Sequence, residues 1–269
     1  MSIKVLSPND TEEKGFIHID IIEKSGPFIA LITTRLGGVS PTPFDSFNMS
    51  DSVGDDPSFV EKNRWRLANH LGVDVQRLIQ LNQVHSAVIY EKTDPKNRGM
   101  LGDGQLVYRA GYFAVISVAD CIPLFLVDPI RRVGGVIHAG WRGLHQSIIS
   151  KAVAKMRQVY GTDPNDVIAV VGPSIGPCHY EVQRDVIEKF NPILNSELTF
   201  YEQKENRYFL NLWVIARDQL IKEGVYPGRI YVQHECTVCR PELYFSHRGS
   251  HGKTGRIWAV LGLKSTEKS

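Results

Sequence analysis

Three apolar runs in the middle of the chain constrain its fold more than any other feature. LIQLNQVHSAVIY (78–90), GYFAVISVADCIPLFLVD (111–128) and VGGVIHAG (133–140) are dense in apolar and β-branched residues and carry few charges. Runs of this kind suit strands buried on both faces, or strands in the interior of a sandwich. A chain of 269 residues can bury such strands in one large core.

The flanking segments add helices to this sheet-rich centre. FIHIDIIEK (16–24) and FIALITT (28–34) read as an opening pair of strands. TRLGGVSPTPFDSFNMSDSVGDD follows, too long and too rich in Gly, Pro, Ser and Asp for a tight turn. Long ordered loops often carry function. Val60, Trp65, Leu67, Ala68 and Leu71 then predict a helix over 58–71 with one buried side. After HAGWRG, Leu144, Ile148, Ile149, Ala152, Val153, Met156 and Val159 predict a second helix, which Gly161 stops. In the last third, DVIAVVGP, RIYVQH and RIWAVLGL read as strands and QRDVIEKF as a short helix. NLWVIARDQLIKEG reads as a longer helix with Asn211 as its N-cap and Gly224 beyond its end. There is no repeat, low-complexity tract or linker, so residues 1–269 read as a single mixed α+β domain ending in a frayed tail, KSTEKS.

A formal net charge of +2 is too small to attract nucleic acid or a membrane surface. No stretch approaches the roughly 20 apolar residues of a membrane span. The N-terminal MSIKVLSPNDTEEKGF lacks the apolar core of a signal peptide, which predicts a cytoplasmic protein. Four cysteines, Cys121, Cys178, Cys236 and Cys239, are too few for a disulfide scaffold and read as thiols, ligands or core residues.

Three potential metal ligands stand where apolar runs turn polar or Gly-rich: His85 in NQVHS, Cys121 in VADCIP and His138 in VIHAGWRG. Strand ends meeting at one sheet edge are where such folds collect functional groups. Imidazole and thiolate are good zinc ligands, and three of them leave one tetrahedral position open, the catalytic arrangement. Taken singly, each residue reads better as an ordinary buried side chain, and the spacing matches no zinc finger. The polar groups around them, Asn82, Gln83, Asp120, Trp141 and Arg142, favour a site. Asp120, beside Cys121, suits proton transfer or the orientation of a ligand or water, and equally a capping carboxylate.

HAGWRGLHQ is a Gly-bearing turn leading into a helix N-terminus, which suits an anion, and Arg142 adds a guanidinium there. The alternative is a tight turn whose glycines serve packing. CTVC (236–239) has no second CxxC to complete a zinc ribbon and reads as structural or pocket-lining. Cys178, in a Gly/Pro turn, reads as a lining residue.

In QVH, ADCIP, HAGWRG, IGP-x-HYEV and CTVC…YFS-x-R…TGR, in this order, the chain resembles the laccase-domain family, also called multi-copper polyphenol oxidoreductase-like. Its bacterial members are purine nucleoside phosphorylases and adenosine deaminases. The resemblance runs from about Arg35 to Gly262. It implies a four-layer α/β/β/α sandwich with mixed sheets, and zinc on His85, Cys121 and His138, with copper able to substitute. It implies phosphorolysis of adenosine, inosine, guanosine and methylthioadenosine, together with hydrolytic deamination of adenosine. Purine nucleosides and phosphate are the implied partners. The family's R-x-GG-x-S loop falls on Arg35, Gly37, Gly38 and Ser40, and its following Asn on Asn48, as pocket residues. Phosphate would fall to Arg35, Arg142 or Arg248. YFSHRGSHG departs from the family's more usual FFSYRR, with His247 in place of an aromatic and Gly249 in place of a basic residue.

Two other chemistries fit the same constellation. Copper-dependent phenol oxidation normally needs histidine pairs, and none of the nine histidines forms HxH. A metal-free cysteine hydrolase would use Cys121 as nucleophile with His85 or His138 as base. A non-catalytic zinc that only stabilises the scaffold is the third alternative.

Overall fold

The computed structural model describes residues 15–194 and 197–264. In chain order the elements are β1 (Phe16–His18), α1 (Asp20–Glu23), β2 (Phe28–Thr33), α2 (Pro57–Leu71), β3 (Leu78–Gln80), β4 (Ile89–Tyr90), β5 (Gly104–Val107), β6 (Phe113–Val118), β7 (Ile122–Asp128) and β8 (Val133–Ala139). They continue with α3 (Trp141–His145), α4 (Ile148–Tyr160), β9 (Ile168–Val171), β10 (Glu181–Val182), α5 (Arg184–Phe190), β11 (Tyr201–Lys204), β12 (Arg207–Leu210), α6 (Leu212–Lys222), β13 (Ile230–Val232) and β14 (Ile257–Leu263).

Two large sheets form the centre, one ordered β1-β2-β14-β6-β3 and the other β13-β9-β7-β8-β5-β4. Both are mixed: β3–β6, β4–β5 and β9–β13 run parallel, while their other neighbours run antiparallel. A small sheet, β10-β12-β11, lies apart from them. Alternation along the strands sorts side chains into layers. Phe125, Val127 and Val136 join Ala30, Ile116 and Ala259 between the two sheets. Their neighbours Leu124, Leu126 and Ile137 point the other way, onto Ile149, Val153 and Met156 of α4 and Ile215 and Leu220 of α6. On the far side, Leu31, Val115 and Val260 pack on Leu67 and Ala68 of α2. Helix, sheet, sheet and helix therefore stack in four layers, as the sequence resemblance implies. Truncating a fully buried phenylalanine such as Phe125 to alanine typically costs about 3–5 kcal/mol.

Local chemistry sets the helix ends. The Asp56 carboxylate accepts from Ser58 N at 2.8 Å with Pro57 at the first helical position, and Gly72 closes α2 in the left-handed conformation. The Asn211 side chain accepts from Val214 N and caps α6, as expected.

Several elements depart from the sequence expectation. The first strand stops at His18, because Asp20–Glu23 turns helical. That turn buries Ile22 between the sheets and sets the Glu23 carboxylate to accept from Ala30 N and His18 Nδ1. The run 78–90 is strand only at its two ends. The run 111–128 is two strands in different sheets, β6 and β7, joined by Ala119, Asp120 and Cys121. The helix after HAGWRG breaks at Ser147, which is left-handed, into α3 and α4. Trp65 and Val159 are exposed, and in α2 Asn63 is buried instead. There Asn63 donates to Ser40 Oγ, Ser46 O and Asn48 O, filling the polar interior of the loop before α2. Most of the tail KSTEKS, and most of the N-terminal segment, lie outside the described residues. No described helix is long and apolar enough to cross a membrane.

Candidate functional site

The crossing from one sheet to the other creates the site. Cys121 lies in the three-residue crossover between β6 and β7, and Asp120 before it adopts a φ of 91°. His138 sits near the end of β8, opposite Pro123 of β7. His85 comes from the irregular segment between β3 and β4 and has a φ of 56°. The ligand atoms of His85, Cys121 and His138 all lie within 4.8 Å of one another. Cys121 Sγ is 3.9 Å from His85 Nε2, and the two imidazole rings meet edge-on with centroids 4.8 Å apart. A metal ion fits three such donors. Gly140 is required beside them, because a Cβ there would stand 2.9 Å from Cys121 Sγ and 3.2 Å from the His85 ring.

A residue that the sequence did not single out organises the two histidines. Asp103, fully buried before β5, accepts from His138 Nδ1 at 2.8 Å and from the backbone N–H of His85 at 3.0 Å. It also accepts from the N–H and hydroxyl of Ser86, both at 2.7 Å. Burial alone would raise its pKa, but hydrogen bonds from His138 and Ser86 outweigh that and hold it below the usual carboxylate range. With Nδ1 engaged by Asp103, His138 turns Nε2 to the site, the arrangement typical of metal-binding histidines. Burial also opposes the Cys121 thiolate, yet the charge and hydrogen bonds of His138 and His85 bring its pKa down to about 6. Burial depresses His138, but Cys121 and Asp103 drive it up to about 9. The site thus favours thiolate, the ligand form of cysteine.

These residues lie at the floor of a cleft of about 960 Å³. Arg64, Arg98, Arg142, Arg248 and Arg256 line it, with Tyr180, Trp141, His247, Asp51 and Asp120. Five guanidiniums against two carboxylates make an anion-attracting cavity. Among the described residues, the Arg142 guanidinium forms no hydrogen bond or ion pair and rests on the Trp141 ring at 4.5 Å. Arg64 Nη2 and Ser117 Oγ are buried there without a hydrogen-bond partner among the described residues. Arg98 by contrast is spent on the carbonyls of Leu78 and Gln76. Burial raises the pKa of the Tyr180 phenol, and the negative charge of Cys121 adds to the effect, so its hydroxyl keeps its proton.

The remaining sequence-derived residues divide. Arg142 and Arg248 reach the cleft; Arg35, Asn48 and Cys178 do not line it. The Arg35 guanidinium donates to the Asp45 backbone and carboxylate and to Pro241 O, and stacks on Phe245, tying the long loop to the C-terminal segment. Asn48 is buried and bonds Ser50, Asp55 and Arg256 N. Both are tied to the surrounding scaffold by these hydrogen bonds. Asp120 lines the cleft, but its carboxylate accepts from Thr237 and Ser246 hydroxyls at 2.6 Å each and from Arg248 N at 2.7 Å. The anion turn feeds a helix of only five residues, so Arg142 rather than a long helix dipole supplies its positive charge. Arg64 and Arg256 escaped the sequence reading because their elements are distant from the ligands in the chain.

Fold and site together define a four-layer sandwich protein with a His–Cys–His set that could hold a metal ion in the wall of an arginine-lined cleft. The profile of the family described as multi-copper polyphenol oxidoreductase laccase matches residues 29–264. Purine nucleoside phosphorylase YlmD of Geobacillus stearothermophilus is 37% identical over 248 residues, covering 88% of this chain and 90% of that protein. The purine nucleoside phosphorylase of Deinococcus radiodurans is 36% identical over 236 residues, covering 87% and 89%. The crystal structure of the Geobacillus YlmD superposes with a TM-score of 0.90 at 33% identity, over 98% of this chain and all (100%) of that one. The hypothetical protein YfiH of Bacillus licheniformis gives 0.89 at 32% identity, over 96% and 100%. The chain belongs to the multi-copper polyphenol oxidoreductase laccase family.

Proposed function

We propose that the chain is a zinc-dependent purine nucleoside phosphorylase acting on adenosine, inosine, guanosine and methylthioadenosine, and that it also deaminates adenosine by hydrolysis. The observation that carries this reading is the open three-ligand set at the floor of a cleft ringed by arginines. The names of the relatives supply the substrate class. Two imidazoles and one thiolate suit zinc, and three donors leave room for a reactant. Zinc held by His85, Cys121 and His138 would supply a Lewis acid at the cleft floor.

The chain's own groups account for binding and charge. Phosphate enters as an anion and needs cations with uncommitted donors. Arg142, whose guanidinium forms no hydrogen bond or ion pair among the described residues, and Arg64, with its buried Nη2, meet that need. In phosphorolysis a phosphate oxygen bonds to the ribose C1′ as the C1′–N bond breaks, and the purine leaves with that electron pair. Donors fixed before the reaction stabilise the charge that develops. Ser117 Oγ and the protonated Tyr180 hydroxyl are such donors in the cleft. Asp120 acts as a positioning residue, holding the main chain at Arg248 with one oxygen and the Thr237 and Ser246 hydroxyls with the other.

Incubation of the zinc-loaded protein with adenosine, with and without phosphate, tests the reading. Adenine and ribose 1-phosphate should appear only with phosphate, and inosine should appear without it. Absence of all three products, with copper-dependent turnover of a phenol or an acyl-thioester trapped on Cys121, would overturn it.

A further inference from the structure

Some distance along the same sheet edge, the chain gathers a second set of ligands. β9 and β13 are parallel neighbours, and the loops leaving their C-terminal ends run side by side. An isolated bridge between Ser174 and Cys236 extends their pairing, with Ser174 N donating to Glu235 O and Thr237 N to Ser174 O. The first loop presents Cys178 and His179 and the second presents Cys236 and Cys239; the four donor atoms all lie within 4.8 Å of one another. His179 Nδ1 stands 3.2 Å from Cys178 Sγ, 3.4 Å from Cys239 Sγ and 3.7 Å from Cys236 Sγ, and Cys178 Sγ is 3.6 Å from Cys239 Sγ. Ligand bonds of about 2.3 Å for sulfur and 2.0–2.1 Å for nitrogen place tetrahedral donors about 3.8 Å apart for S···S and about 3.6 Å for S···N. The observed separations cluster around those values.

We propose that Cys178, His179, Cys236 and Cys239 form a second, closed zinc site whose role is structural. Four protein ligands fill the tetrahedron and leave no position for a reactant, in contrast to the three-ligand set in the cleft. A backbone donor faces one of the sulfurs. Gly176 N donates to Cys236 Sγ at 3.3 Å, which stabilises negative charge on sulfur. A Cβ on Gly176 would lie 3.2 Å from Cys236 Cβ of the second loop and 2.7 Å from the Trp213 ring of α6, so glycine lets the first loop sit this close to both. A disulfide explains the arrangement less well. Closing Cys178 onto Cys239 would leave Cys236 and His179 without a role, and the sulfurs stand well beyond the roughly 2.05 Å of a bond.

The site's position says what the ion would do. Thr237, between the two cysteines of CTVC, donates to Asp120, the neighbour of Cys121. Tyr180, next to His179, lines the cleft beneath the Arg248 guanidinium. A zinc ion clipping the two loops together would therefore brace Asp120 and Tyr180, two of the residues that line the cleft.

Metal counting by mass spectrometry on protein produced with zinc as the only added transition metal tests the proposal. Wild type should carry two zinc ions per chain, Cys121→Ser one, Cys239→Ser one, and Cys121→Ser/Cys239→Ser none. Cobalt loaded into Cys121→Ser should give intense thiolate-to-metal absorption with tetrahedral visible bands, which requires several sulfur ligands; this arm stands even if Cys239→Ser fails to fold. No zinc in Cys121→Ser, zinc in Cys239→Ser equal to wild type, or an oxidised Cys178–Cys239 pair in freshly reduced-and-loaded protein, overturns it, whereas a single wild-type zinc that Cys121→Ser keeps and Cys239→Ser loses supports it and counts only against the cleft site. None of these readouts depends on nucleoside turnover.

Discussion

His138 Nδ1 lies 2.8 Å from Asp103 Oδ1, and the same carboxylate accepts from the backbone N–H of His85, so one buried residue orients two of the three ligands. Partners of this kind typically change metal affinity 10–100-fold when altered. Asp103→Asn keeps the size but turns an NH₂ toward groups that are themselves donors. We expect zinc affinity, measured by competition with a chromogenic chelator, to fall about 10–100-fold. Turnover should recover at saturating zinc; no recovery would mean that Asp103 does more than hold the ligands.

The lowered Cys121 pKa makes a pH prediction for protein stripped of metal by a chelator. A pKa of about 6 means that the thiolate, the reactive form, already dominates at pH 7. Alkylation of Cys121 by iodoacetamide, followed by peptide mass spectrometry, should rise through about pH 6 and flatten above pH 7. An ordinary thiol would keep gaining rate through about pH 8.5. Replacing His138 with Gln removes the main charge partner and should move the inflection upward. Added zinc should suppress labelling at every pH, because the sulfur's lone pair is then engaged.

What the sequence disclosed follows from how local each signal is. His85, Cys121 and His138 were legible because each interrupts or ends an apolar run, and runs that end together bring their termini together. Asp103 was not, since GDG ahead of a short strand reads as a turn, and only tertiary pairing with β8 reveals its role. The single run 111–128 hid a change of sheet because β6 and β7 are both buried on two faces, and the short polar break at Asp120–Cys121 carries none of the Gly or Pro signals that mark a chain crossing. The CTVC pair lacked a partner motif in sequence. Its complement is the adjacent pair Cys178–His179, which joins it only because β9 and β13 are neighbours.

Arg142 offers the simplest test of how phosphate is held. Its guanidinium bonds to no described residue, so Arg142→Gln should leave the thermal midpoint nearly unchanged. A charge-assisted hydrogen bond contributes about 1.5–3 kcal/mol, which corresponds to roughly 10–150-fold in affinity. The KM for phosphate should rise by that order, while the KM for the nucleoside moves little. An unchanged phosphate KM would shift the assignment to Arg64, whose buried Nη2 also has no hydrogen-bond partner among the described residues.

Asp120 decides between moving a proton and holding a framework. One of its oxygens accepts from the hydroxyls of Thr237 and Ser246, and the other from Arg248 N. Asn tolerates the positive φ found here, so Asp120→Asn should fold. Its amide oxygen can keep the two hydroxyls, but its NH₂ would face the Arg248 N–H, donor against donor, and that segment must move. A positioning role predicts a raised phosphate KM, a kcat reduced by about tenfold or less, and a pH–rate profile of unchanged shape, since the residue replaced takes no part in proton transfer. Proton transfer by Asp120 predicts instead a kcat lower by about 10²–10⁴-fold and the disappearance of one limb of that profile. Zinc content should stay at the wild-type value in either case, because the Cys121 sulfur, not the neighbouring carboxylate, carries the ligand bond.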